Sequence, residues 1–513
     1  MQINNNYLSN FNFKKDTTVN EKKAQSISQD TITSMPDIKL SQILLPNKQI
    51  YLPQGTKPAT FNKNNISIEL PANYKKATSD EESQMTKTAR VTFKKAKVNQ
   101  YQNTTTGAKI IRITQNIFSE EGALNSAEVF EINAKNIRKG TRYIKDFEHN
   151  TETEIKVTNP LRPKLTTTDE ITTIHKDKNG KVIKIEEYKK SCLKGIYDIY
   201  ETDAFGNKTV VSKATKKADG SIILEKNLVS LDGTKTQYIY KSDESGNHKK
   251  MFCQISDKEG NILSTIDRTY DRENEEVAYS SVNGNKYKIE KNTEGVEITN
   301  YTTGEKTEIK ASKFNSSDDT KYFLKTAGAK GRFSEENVVD EMFRTLPADT
   351  LLTLNNNIKE IIPLEDDLDS AFMGVFDYLM CKTDNFVINH ELGHSMDSVR
   401  LKEDANILEI SPKNTTTISN KTNFYKAYVE EKAAFIKEFP HFEEKFISYF
   451  IENTAKRTDR GRSETVAESN AINGLSPEVP EKLAMRTTLL QRYFPRSIAE
   501  LTKMMNNIAI NNN

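Results

Sequence analysis

The sequence predicts a multidomain chain with a disordered N-terminus, a β-rich middle of repeated hairpins and a mainly helical (α+β) C-terminal domain. Three observations carry this expectation. Turn-type glycines recur in similar polar contexts between about 166 and 310, often 13 or 14 residues apart. The hydrophobic period then changes near Phe333 from two to about 3.6. Residues 1 to about 50 are polar and rich in Asn, Ser, Thr and Gln, a composition that does not bury a core.

Composition sets the outer limits. At 513 residues the chain is too long for one compact core, and two to four domains are expected. Lys+Arg number 74 against Asp+Glu 72, so no general nucleic-acid-binding surface is expected. Hydrophobic residues are 35%, low for a fully globular chain, which again points to a disordered portion. The abundance of Asn, Lys and Thr suits a bacterial AT-rich genome. The three cysteines, Cys192, Cys253 and Cys381, are odd in number and widely spaced, which is no disulfide framework. Cys381 lies nine residues before His390, and a buried core thiol is its expected role. No apolar run reaches the ~18 residues of a membrane span. The N-terminus has no apolar stretch behind a basic start, so no standard secretory signal is expected. Either secretion by a signal-independent route or a cytoplasmic location follows.

In chain order, residues 1–50 read as a disordered leader. Residues 51–165 read as a small β-rich domain, with alternating segments such as Ile66–Leu70 and Ala108–Ile113. Residues 166–312 read as a hairpin-repeat region. Asp-x-x-Gly-Asn occurs at Asp203–Asn207, Asp243–Asn247 and Asp257–Asn261; Asp-Gly occurs at Asp219–Gly220 and Asp232–Gly233. Such pairs supply the positive φ that hairpin turns need. Gly180, Gly284, Gly295 and Gly304 extend the set. This region resembles the tyrosine- and aspartate-rich β-repeats of bacterial toxins, and a spacer is its expected role. Residues 313–332 read as a linker, from Asn315–Asp319 and Gly328–Gly331. Residues 333–513 read as helical. Ser334 with Glu335 and Glu336 opens one helix, Leu346-Pro347 opens another, and Ile358–Ile362 predicts a strand. Glu365–Asp369 predicts an acidic loop. Helices are expected over Phe424–Phe435, His441–Ile451, Glu464–Ile472, Pro480–Tyr493 and Ser497–Ile508. Ser497 and Glu500 form a potential capping box.

The chemistry lies in His390-Glu391-Leu392-Gly393-His394. Histidines at i and i+4 share one helical face and can close on one Zn²⁺. Glu391 flanks them, placed to act as general base on a metal-activated water. Phe386, Val387, Ile388, Leu392 and Met396 give the helix an apolar face. A catalytic site needs a third protein ligand and an open fourth position. Arg400 stands where the metzincin pattern would put a histidine, so a downstream glutamate is expected. Glu464 fits best, with Glu468 one turn on to accept the free ring N–H of a ligating histidine. Ala467 and Ala471 allow close packing. Glu430 or Glu431 competes, though neither 434 nor 435 is acidic.

These motifs, His390–Asp397, Leu346-Pro347 with its leucine helix and strand, and Glu464-Thr-Val-Ala-Glu468, resemble the catalytic domain of anthrax-toxin lethal factor. The secreted Pro-Pro endopeptidases share that fold. The resemblance spans roughly 330–513. It implies a gluzincin-type zinc endopeptidase of toxin or effector kind. It would act on a protein or peptide substrate with one zinc per chain, and Asp397 would join Glu468 around the ligands. Two departures stand out. The interval from His394 to Glu464 is long, requiring an insertion near 401–455. The family's oxyanion-stabilising tyrosine has no counterpart in 455–463, leaving Tyr449 or an arginine (Arg457, Arg460 or Arg462) for that role. The contrasting expectation is an inactive binding or adhesion protein built on the hairpin repeats.

Overall fold

The computed structural model describes residues 60–511 except 63–64, 68–69, 71, 94–95, 119–123, 136–137, 163–165, 271–276, 327–338, 340–345, 365–370, 374–377, 382–384, 399–418, 420–421, 439–459 and 475. The leader at 1–50, the helix opened by Ser334, the loop Glu365–Asp369 and the helix expected over His441–Ile451 lie outside the described residues.

From Tyr74 to Lys310 the chain builds a long antiparallel sheet of eighteen strands, each paired with the next in sequence. The hairpins close as their turn residues demand. In Asp203–Asn207 the Asp203 carboxylate accepts the amides of Phe205 and Asn207 at 2.9 Å and the Asn207 side-chain amide at 2.9 Å. Asp243 and Asp257 accept their Asn partners in the same way. Gly206, Gly220, Gly233, Gly246 and Gly260 take the positive φ between them. Each Asp thus replaces water at the turn's backbone N–H groups, which explains the repeat. Gly295 differs from this expectation. Its φ is not positive, and a Cβ there would stand 2.0 Å from the Ile309 carbonyl oxygen. The residue serves a close approach of neighbouring strands.

Two expected boundaries are corrected. Strand Thr151–Thr158 pairs directly with strand Thr167–Lys176, so one sheet crosses the join placed at 165/166. The described part of the expected linker is folded. Ala311–Phe314 forms a 3-10 turn with Phe314 fully buried, Asn315 bridges Ile361, and Asp318–Thr326 is helical.

We number the helices α1 (Gln84–Thr92), α2 (Asp318–Thr326), α3 (Ala348–Asn357), α4 (Asn385–Ser398), α5 (Thr422–Glu438), α6 (Arg460–Ile472), α7 (Ala484–Tyr493) and α8 (Pro495–Asn511). A small sheet accompanies them. Its strand Tyr378–Cys381 runs parallel to Glu360–Pro363 and antiparallel to Ala371–Met373. Helix α8 begins at Pro495, two residues before the expected cap Ser497. Glu431 of α5 supplies the cap instead, accepting the Arg496 and Ser497 amides at 2.7 and 3.0 Å.

The different periodicities predict separate cores for sheet and helices, but the two share their core. Tyr188, Tyr197 and Leu228 of the sheet pack with Leu489, Leu490 and Phe494. Leu224, Tyr240 and Ile266 pack with Phe386, Val479 and Ile498. Tyr287, Ile298 and Ile309 pack with Leu351, Leu354, Ile388 and Leu392. Alternation gives each strand one inward face, and the helices cover it. Charged pairs cross the same seam. Arg268 binds Asp349 of α3 at 2.9 and 3.0 Å and donates to the Asn473 carbonyl. Arg492 of α7 reaches Glu186 at 2.9 Å, and also Glu201 and Tyr188. Burial opposes charge on Glu186, but Arg492, His175 and Lys184 outweigh it and hold the carboxyl well below its usual range. The hairpin region is therefore a wall of the fold, which corrects its reading as a spacer.

Candidate metal centre

Helix α4 carries the two histidines. Phe386, Ile388, Leu392 and Met396 are buried as the apolar face predicts. His390 and His394 stand one turn apart, their ring centroids 5.0 Å from each other. Helix α6 crosses α4 at a point where Gly393 has no room for a side chain. A Cβ there would lie 2.6 Å from Ala467 Cα and 3.1 Å from Asn470 Cβ. Glycine in a helix interior costs about 1 kcal/mol relative to alanine. Here it permits the crossing, with the small Ala467 opposite as expected. The Asn470 side-chain amide donates to the Asn389 carbonyl at 2.6 Å and fixes the register of the two helices.

That register brings Glu464 to the histidines. Its Oε2 lies 3.5 Å from His390 Nε2 and 3.4 Å from His394 Nε2. Among the described residues, these three each place one donor atom within 4.8 Å of the others. Ligands about 2.0–2.2 Å from a tetrahedral zinc stand roughly 3.3–3.5 Å from one another, so the donor set suits that ion. The other side of His390 faces Glu468, with Nδ1 and Oε2 3.4 Å apart.

Glu468 is itself held. Arg486 of α7 donates to its two oxygens at 3.0 and 2.7 Å, and Thr487 donates at 2.8 Å. Arg486 and Thr487 escaped the sequence reading, because nothing in the order of residues links them to a helix 18 positions earlier. Ser463 Oγ lies 3.4 Å from His394 Nδ1, the ring nitrogen other than the one near Glu464.

The electrostatics describe a cage for positive charge. Burial disfavours a charged His390, yet its bonding to Glu464 and Glu468 and the field of Glu391 prevail, holding its pKa up at about 10. Burial likewise opposes charge on Glu464, but His394 and His390 keep it well below the usual carboxylate range. For Glu468 the balance against burial is won chiefly by Arg486, and its pKa falls to about 2.

Glu391, next to His390 in the chain, is buried. Asp397 accepts the Ser419 amide at 2.7 Å and so ties the end of α4 to residue 419. Glu430 pairs with Arg496 at 2.7 Å, and Glu431 caps α8, so both competitors of Glu464 are engaged elsewhere. Cys381 is a buried thiol in the apolar cluster, as expected. Burial, with Glu391 adding to it, pushes its pKa up. Arg462 places its guanidinium 4.9 Å from the Tyr425 ring. Tyr449 and Arg457 lie outside the described residues, as does the side chain of Arg460, which opens α6. No helix among the described residues is long and apolar enough to cross a membrane. No protein-family model, curated protein or solved structure matches this chain.

Proposed function

We propose that the chain is a zinc-dependent endopeptidase of gluzincin type, holding one zinc through His390, His394 and Glu464. The observation that carries this reading is the convergence of both histidine Nε2 atoms on one Glu464 oxygen at 3.4–3.5 Å, with Glu391 buried alongside. Bound zinc would supply Lewis acidity, polarising a substrate carbonyl and making a water acidic near neutral pH.

The chain's own groups do the rest. Glu391 takes the proton from the attacking water and returns it to the departing amine. Glu468 orients the His390 ring through Nδ1, and Arg486 and Thr487 keep Glu468 charged and fixed. Ser463 stands at the corresponding nitrogen of His394. The substrate is a protein or peptide.

The test is Glu391→Gln in the full chain, assayed on a proteome-derived peptide library. Zinc content and fold should be retained while turnover falls by about 10²–10⁴-fold. Activity within a few-fold of the parent would reject the mechanism. A zinc-loaded parent that cleaves nothing would favour a binding protein instead.

A further inference from the structure

Every residue of helix α7 is buried. Its charged side chains are Arg486 in the first turn and Arg492 in the last, 6% and 3% exposed. Each is matched by carboxylates from a different neighbour. Arg486 donates to both oxygens of Glu468 on α6, at 3.0 and 2.7 Å. Arg492 donates to Glu186 of strand Val182–Lys190 at 2.9 Å, and also to Glu201 of strand Tyr197–Asp203. The uncharged partners divide in the same way. Thr487 donates to Glu468, while Gln491 accepts from Lys226 of the sheet. One end of α7 therefore holds the carboxylate that faces His390 Nδ1 at 3.4 Å, and the other end is fastened to the sheet.

Both anchors resist displacement, because parting a buried ion pair strands an uncompensated charge. Along a helix the two arginines stand about 9 Å apart. Between them Leu489 and Leu490 pack with Tyr188, Tyr197 and Leu228 of the sheet, so the middle of the helix has no slack. A hydrogen-bonded helix enclosed in a close-packed interior passes a shift at one end to the other instead of absorbing it. Glu186 and Glu201 make their ion pairs with Arg492, His175 and Lys184, none of them among the three proposed metal ligands. Their path to those ligands runs through α7.

We propose that Glu186 and Glu201 of the sheet are positioning residues for the metal centre, acting through α7. They fix Arg492, the helix carries that position to Arg486 and Thr487, and these two set the Glu468 carboxylate against the His390 ring. Carboxylates that orient a ligating histidine tune how tightly the metal is held. The inference rests on the zinc reading above and adds to it a route by which the hairpin sheet sets metal affinity.

The test is zinc affinity of the full chain, measured by competition with a chromophoric chelator. The parent is compared with Glu186→Gln, Glu201→Gln and Gly206→Ala. Gly206→Ala strains an exposed hairpin turn with open space around it and is the control for lost stability. Affinity should fall about tenfold in Glu186→Gln and about threefold in Glu201→Gln, and stay at the parent's value in Gly206→Ala. Circular dichroism of each variant checks the fold. The Glu201 side chain is 28% exposed, so Glu201→Gln answers the question if Glu186→Gln fails to fold. Parent affinity in the folded glutamine variants would overturn the proposal while leaving the zinc site standing. An equal loss in Gly206→Ala would also overturn it, since affinity would then follow stability alone. A parent that binds no zinc would overturn the zinc reading and this inference together.

Discussion

The hairpin turns of the sheet and the seam between sheet and helices obey different rules. A turn such as Asp203–Asn207 is closed by residues at most four apart, and its Gly206 has open space around it. The seam is closed by partners far apart in sequence: Arg268 with Asp349, Arg492 with Glu186, Lys226 with Gln491. Local rules shape the turns with little dependence on the rest of the fold. The seam exists only when both halves are present, and it carries the core that positions His390, His394 and Glu464.

The sharpest way to break this contrast is truncation. Periodicity alone predicts that a chain beginning near Lys325 folds by itself. The shared core predicts the opposite, since that truncation uncovers Leu489, Leu490, Phe494 and Ile388 together. We expect an insoluble or molten product without near-ultraviolet circular dichroism. A soluble, cooperatively unfolding fragment would show that the helices do not depend on the sheet.

A smaller effect comes from charge. Arg268→Met strands a buried Asp349, a change that costs about 3–5 kcal/mol. Lys306→Met loses only an exposed, water-screened pair with Glu297 and should leave stability nearly unchanged. Urea denaturation of the two variants should separate them clearly. Similar midpoints would mean that the seam pair adds little.

The smallest effect concerns two glycines. Both have positive φ, Gly206 at 87° and Gly195 at 69°. Gly206→Ala should cost about 1–2 kcal/mol, the strain of a left-handed backbone alone. At Gly195 a Cβ would lie 1.9 Å from the Val479 carbonyl oxygen of the helical region. Gly195→Ala adds overpacking of about 1–3 kcal/mol to the same strain. Equal melting temperatures for the two would remove the distinction between turn and seam.

The same distinction explains what could be read in advance. The hairpin turns were legible because Asp, Gly and Asn act within five residues. The pair His390 and His394 was legible because a helix fixes which residues share a face, and Glu464 with Glu468 by the same rule. Arg486, Thr487 and Ser463 were not, since only the folded chain brings them to their partners. Gly393 offered a signal, a glycine inside a helical motif, whose meaning appears only with Ala467 against it. The sharing of one core was illegible because periodicity tells which face is buried but not what buries it.

The central claim is that His390, His394 and Glu464 form one zinc site. Elemental analysis of the full chain after exhaustive dialysis tests it directly, comparing the parent with Glu464→Ala. One zinc per parent chain, and little or none in the variant, is the predicted result. A parent without zinc, or a Glu464→Ala variant that keeps its full complement, would contradict it.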